Sequence, residues 1–174
     1  MHVPYGLLAA LLAAFAPLSW AAPADDLKEA QKLYGQGKLP AALEKVDAYL
    51  VAEPKDAQGR FLRGLVLADE KKTAQAIDVF TELTSEFPEM PEPYNNLAVL
   101  YAAQGNYDRA REVLELAVKT HPNYAIAHEN LGDVYMRLAA RSYDRALQLD
   151  KNDTSARDKS AKAKELLTPQ RTNP

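Results

Sequence analysis

Few residues in this chain could do chemistry, and their spacing limits what that chemistry is. His121 and His128 lie seven positions apart across Pro122, and the only other histidine is His2. With no cysteine in the chain, a transition-metal site would lack ligands of the usual kind. No metal centre is expected; the two histidines are read as packing and surface residues. Asp150-Lys151-Asn152-Asp153 opens like a calcium loop, but its sixth position, where the sharp turn needs glycine, is Ser155. There is no Gly-x-Ser-x-Gly, Gly-x-Gly-x-x-Gly, phosphate-binding loop or His-Glu-x-x-His. The chain is therefore read as a non-enzyme without a cofactor. Amide chemistry remains. Asn96 and Asn130 are 34 residues apart, and an amide offers both donor and acceptor to the backbone of an extended peptide. The competing reading is that these amides only serve the fold.

The chain has 174 residues and a formal net charge of -3. A nucleic-acid partner would require a clustered basic face, so none is expected. Residues Leu7 to Trp20 carry no charge and are rich in Leu and Ala, with Ser19, Ala21, Ala22 and Ala24 around their end. This is the layout of a secretory signal peptide over residues 1–21, cleaved after Ala21, with Ala24 as second choice. Its n-region lacks Lys and Arg. The alternative is an uncleaved anchor, but 14 apolar residues interrupted by Pro17 fall short of the roughly 18–20 that span a bilayer. The expectation is a periplasmic or secreted protein without stable membrane insertion after cleavage. Absence of cysteine excludes lipidation of the N-terminus, disulfides and thiolate catalysis.

The elements that must position the amides follow a strict period. Ala30, Gly64, Ala98 and Gly132 are each 34 residues apart, as are Ala42, Ala76 and Ala110, and Pro54, Pro88 and Pro122. Around each small residue the apolar positions recur at helical spacing, for example Leu27, Ala30, Leu33 and Tyr34. Gly37 and Gly105 mark turns between paired helices. Lys71 stands at the same place in the middle unit, so that turn must manage without glycine or fray. Helix-turn-helix units are expected over about 24–55, 56–89, 90–123 and 124–153. In the last, Ser142-Tyr143-Asp144-Arg145-Ala146 repeats the start of a second helix, yet no Gly or Pro occurs between Gly132 and Pro169. Either that second helix is shortened, or residues 139–150 continue the preceding one. The favoured version is a compressed, partly fused hairpin. A polar-faced helix over 154–167 would cap the open end, followed by a disordered tail over 168–174.

The third unit reads Pro93-Tyr94-Asn95-Asn96-Leu97-Ala98, Tyr101, Gly105-Asn106-Tyr107-Asp108-Arg109-Ala110, Leu114, Ala117, Pro122. This order and length resemble the tetratricopeptide repeat (TPR) family. The resemblance covers about Ala24 to Lys151. It implies an all-α, right-handed superhelix with three full repeats and a fourth compressed one. It also implies that the first helix of each unit lines a concave groove. The groove positions are then Phe61, Leu65 and Asp69; Glu92, Asn95, Asn96 and Val99; Glu129, Asn130, Asp133 and Arg137. Peptide contact is expected from Asn96, Asn130, Asn95, Phe61, Val99, Glu129, Asp133 and Arg137. Because acids sit beside Arg137, a two-carboxylate clamp is not expected. A partner with basic or neutral polar segments fits better.

The leading reading is a periplasmic scaffold that binds a protein or extended peptide and assists assembly of an envelope complex. The alternative is a peptidoglycan- or glycan-associated accessory protein, which would want exposed aromatics. Phe61 is the groove candidate for that role, whereas Tyr101 and Tyr135 read as core. Homodimerisation through the free side of the first repeat stays open, with no residue that argues for it.

Overall fold

The computed structural model describes residues 23–168, so the signal-peptide segment and all but the first residue of the expected tail lie outside the described residues. Within them the chain forms α1 (Pro23–Gly35), α2 (Leu39–Ala52), α3 (Ala57–Asp69), α4 (Thr73–Glu86), α5 (Pro91–Ala103), α6 (Tyr107–Thr120), α7 (Ala125–Leu149) and α8 (Thr154–Leu166). Among the described residues there is no strand. Helices α1–α2, α3–α4 and α5–α6 are antiparallel hairpins that stack as a right-handed superhelix, with neighbours in sequence packed against each other throughout.

The three hairpin turns close in the same way. Gly37 and Gly105 take φ of +71° and +75°, the left-handed region where glycine has no Cβ penalty. The Gly37 N–H donates to Tyr34 O and the Lys38 N–H to Leu33 O; the Gly105 N–H donates to Ala102 O and the Asn106 N–H to Tyr101 O. These paired bonds satisfy carbonyls that a helix end leaves without partners. The middle turn keeps the same bonds, from the Lys71 N–H to Ala68 O and the Lys72 N–H to Leu67 O. It does so by forcing Lys71 to φ of +63°. The turn neither frays nor needs glycine, at the cost of backbone strain.

Each hairpin buries its apolar face on its neighbours. Ala30 shares a cluster with Ala42, Val46, Leu62 and Val66. Phe80, Leu67, Leu83 and Leu97 form the next, and Ala98, Ala110, Leu114 and Leu131 the third. Val46, Phe80 and Leu114 are again 34 apart, so a large residue of the second helix recurs opposite each small residue of the first.

The fourth unit resolves toward complete fusion. Residues 139–149 continue α7, which runs 25 residues without a break. The favoured partly fused hairpin is therefore corrected to one uninterrupted helix. The place that Gly37, Lys71 and Gly105 hold in the other units is Ala139 here, inside Leu138-Ala139-Ala140-Arg141, a run of strong helix formers. A turn here would leave only residues 141–149 for a second helix before the chain turns at Asp150–Asp153, against 14 residues in each of α2, α4 and α6. Helix α8 instead folds back on the later part of α7: Ser160 Oγ and Lys164 Nζ both donate to Asp144 Oδ1, at 2.6 and 2.7 Å. It starts at an Asp153 cap whose side chain accepts from the Ala156 N–H. Fusion also changes Gly132. Nothing lies within 4 Å of where its Cβ would be, because no second helix sits opposite it.

Candidate functional site

The first helices place the groove residues on one face, and two side-chain bonds tie neighbouring first helices together across it. Asn130 Nδ2 of α7 donates to Asn95 Oδ1 of α5 at 2.6 Å. Tyr34 Oη of α1 donates to Asp69 Oδ2 of α3 at 2.8 Å. Burial, then the hydrogen bond to Asp69, push the Tyr34 hydroxyl up to about 12. Both links join residues 35 apart, one more than the repeat, because each helix is offset against the next.

The amide pair in exact repeat register is not the pair in contact. Asn96 Nδ2 donates to the carbonyl of Glu92 one turn earlier on its own helix, at 2.9 Å. Among the described residues, Asn95 Nδ2, Asn130 Oδ1 and Asn96 Oδ1 have no side-chain or backbone partner. The assignment of amide oxygen and nitrogen follows this network. One donor and two acceptors thus remain for a ligand.

Two hollows flank these links. The first, about 140 Å³, lies between α5 and α7 and is lined by Val99, Asn130, Asp133 and Arg137 over a floor that includes Ala98 and Leu114. Val99 is 48% exposed at its rim. The second, about 330 Å³, is apolar and lined by Gln31, Gln58, Phe61, Leu65 and Met90. The structure therefore brings Asn95, Asn130, Val99, Asp133 and Arg137 together. It sets Phe61 in the other hollow and leaves Asn96 and Glu129 outside both. The half-buried Phe61 ring packs on Phe80 with centroids 5.7 Å apart. Arg137 lies over the Tyr107 ring, 5.6 Å from its centroid.

Sequence reasoning missed Gln31 and Gln58. A signal for Gln31 existed: Gln31, Leu65, Val99 and Asp133 keep the 34-residue step. Tyr135 is not core as expected. It is 47% exposed and donates to Glu115 Oε1 of α6 at 2.9 Å. Without a second helix in the fourth unit, it stays half exposed. His121 Nε2 contacts Glu89 O at 2.8 Å while its Nδ1 contacts Thr120 Oγ1. His128 Nε2 contacts Pro122 O. Both histidines thus hold inter-repeat turns. Among the described residues no group of three or more His, Cys, Asp or Glu could hold a metal ion.

Two tetratricopeptide repeat family models match the chain, over residues 27–91 and 67–132. Among curated relatives, a TPR repeat-containing thioredoxin of Arabidopsis thaliana is 33% identical over 60% of this chain and 16% of its own length. A heat-shock protein cognate co-chaperone of Aspergillus fumigatus is 30% identical over 49% of this chain and 26% of its own. Across the curated relatives it matches, the chain spans between 14% and 26% of their length. Among solved structures, a TPR protein of Thermus thermophilus superposes with a TM-score of 0.62 at 23% identity, covering 84% of this chain and 83% of that one. The first TPR of Spaghetti (RPAP3) bound to an HSP90 peptide gives 0.62 at 19% identity, covering 67% and 93%. MamA gives 0.62 at 18%, covering 82% and 81%.

Proposed function

The chain belongs to the tetratricopeptide repeat family, and from that premise we propose that it is a non-enzymatic scaffold that binds a protein partner through an extended segment on its concave face. Proteins of this family mediate protein–protein contacts. One neighbour of the same fold holds a heptapeptide, and one relative is a co-chaperone. The observation that carries the reading is the Asn95–Asn130 bridge, which fixes two amides side by side above a hollow with their remaining donor and acceptor free. A segment lying across that bridge would gain backbone hydrogen bonds without its sequence being read. Phe61 and Leu65 would take one of its apolar side chains. A glycan is less well served, because the half-buried Phe61 ring is packed on Phe80 rather than laid open as a stacking platform.

We further propose that the protein acts in the periplasm, on the strength of the signal-like residues 1–21, and that its partner belongs to an envelope complex. Trp20 is the only tryptophan, so a form cleaved after Ala21 should show no tryptophan fluorescence. An exported form that still emits as tryptophan would overturn the cleavage.

The binding reading is tested by placing a photo-crosslinking residue at Val99 or, on α6, at the 46% exposed Leu116. The expected result is discrete adducts from position 99 in the envelope fraction, reduced in Asn95→Ala/Asn130→Ala. Adducts from position 116 alone, or none from either, would sink it.

A further inference from the structure

The fusion that removes the fourth turn builds a feature the other repeats lack. Beyond the point where a repeat would reverse, α7 presents Arg137, Arg141 and Arg145 at i, i+4 and i+8, neighbours on one face separated by about 6 Å per step. Together with Tyr107 of α6, Asp144, and Lys164 of α8 they line a hollow of about 590 Å³. Two of its cations are already matched. Arg141 Nη2 donates to Asp108 Oδ2 at 2.8 Å, and Lys164 pairs with Asp144. The other two are not. Arg137 rests on the Tyr107 ring, and the exposed Asp133 one turn before it forms no ion pair with it. Among the described residues Arg145 donates only to the neutral Gln148, at 2.8 Å. Among the described residues, two guanidinium groups without an acid partner thus stand two turns apart in a chain of net charge -3.

We propose that this hollow is a second binding site, for an extended acidic peptide whose carboxylates fall on alternate residues. Alternate side chains of an extended chain project from the same face roughly 6.6 Å apart. That step matches the spacing along the arginine row. Arg137 and Arg145, about 12 Å apart, can each give a bidentate pair to the first and third of three such carboxylates, while the middle one lies at Arg141, which already serves Asp108, and the hollow is too large to be filled by a single small anion. The site borders the concave face at Arg137 and otherwise does not rest on the peptide reading given there.

The test uses the full chain and fluorescently labelled peptides with blocked ends. One is Ser-Glu-Ser-Glu-Ser-Glu-Ser, one carries Gln for Glu, and one has the same composition with its glutamates contiguous. Fluorescence anisotropy should show binding of the alternating acidic peptide, weaker binding of the contiguous one and none of the Gln form. Arg137→Gln/Arg145→Gln should weaken it about tenfold or more. Arg145→Gln alone, on the exposed surface, should give a partial loss with an unchanged melting curve. Lys38→Gln/Lys119→Gln, an equal charge change elsewhere, should leave binding intact. Asn95→Ala/Asn130→Ala should also bind the peptide normally, which separates this site from the concave one. No binding of the alternating peptide, equal binding of the contiguous one, or equal losses in the two charge-matched double variants would overturn the proposal.

Discussion

The ring of Phe80 occupies the space that a side chain on Gly64 would need. A Cβ built on Gly64 would lie 2.6 Å from Phe80 Cε1 and 2.7 Å from Cζ, and Phe80 is fully buried. Packed interiors do not yield such a distance freely. Gly64 is therefore required by a close helix approach and not by its backbone freedom.

Gly64→Ala should lower stability by about 1–3 kcal/mol, even though alanine favours helix by roughly 1 kcal/mol over glycine. Gly132→Ala should do the reverse. Its Cβ meets nothing within 4 Å, so only the helix propensity acts, and stability should rise by up to about 1 kcal/mol. Denaturant midpoints decide it. Shifts of the same sign at both glycines would mean that the two small residues share one role.

This pair shows how far the sequence could be read. The 34-residue step locates Ala30, Gly64 and Ala98 at helix crossings, because a small residue opposite Val46, Phe80 or Leu114 leaves a periodic trace. The same step extends to Gly132, where the residue type persists but its partner does not. Whether the chain turns at Ala139 depends on how well the short segment before the Asp150–Asp153 turn could pack as a separate helix, which no local pattern records. The site is similarly half legible. Periodicity puts Asn95, Asn96 and Asn130 on first helices, but the 35-residue link between Asn95 and Asn130 depends on the offset between helices. So does the spare hydrogen-bonding capacity that the link leaves behind. The arginine row was open to a helical reading of residues 137–145, and only the fusion makes that reading apply.

Lys71 and Ala139 test the two fates of the same turn position. Lys71 holds φ of +63°, a conformation that costs a side-chain-bearing residue roughly 1–2 kcal/mol. Lys71→Gly should relieve most of it and raise stability by up to about 1 kcal/mol, after glycine's greater entropy in the unfolded chain is counted. Ala139 lies within α7, so Ala139→Gly should lower stability by about 1 kcal/mol. Thermal or urea unfolding of the two variants reads both effects. Stabilisation by Ala139→Gly would mean that a hairpin turn forms there in solution.

Tyr34 gives the fold a pH signature at the alkaline end. Its hydroxyl, ordinarily near 10, is pushed up to about 12, first by burial and then by its bond to Asp69. A group whose folded value lies above its unfolded value favours the folded state fully below the unfolded value. That contribution is lost as pH rises through the folded one. Between pH 10 and 12 the unfolded chain releases the Tyr34 proton while the folded chain keeps it, so stability falls across that window. Tyr49, Tyr94, Tyr124 and Tyr135 are also raised, and they steepen the fall in wild type and variant alike. Tyr34→Phe should therefore start less stable at pH 7, having lost the α1–α3 link, and lose less than the wild type from pH 10 to 12. Urea unfolding at both ends of that range measures the difference. Parallel losses in the two proteins would show that Tyr34 does not keep its proton through the bond to Asp69.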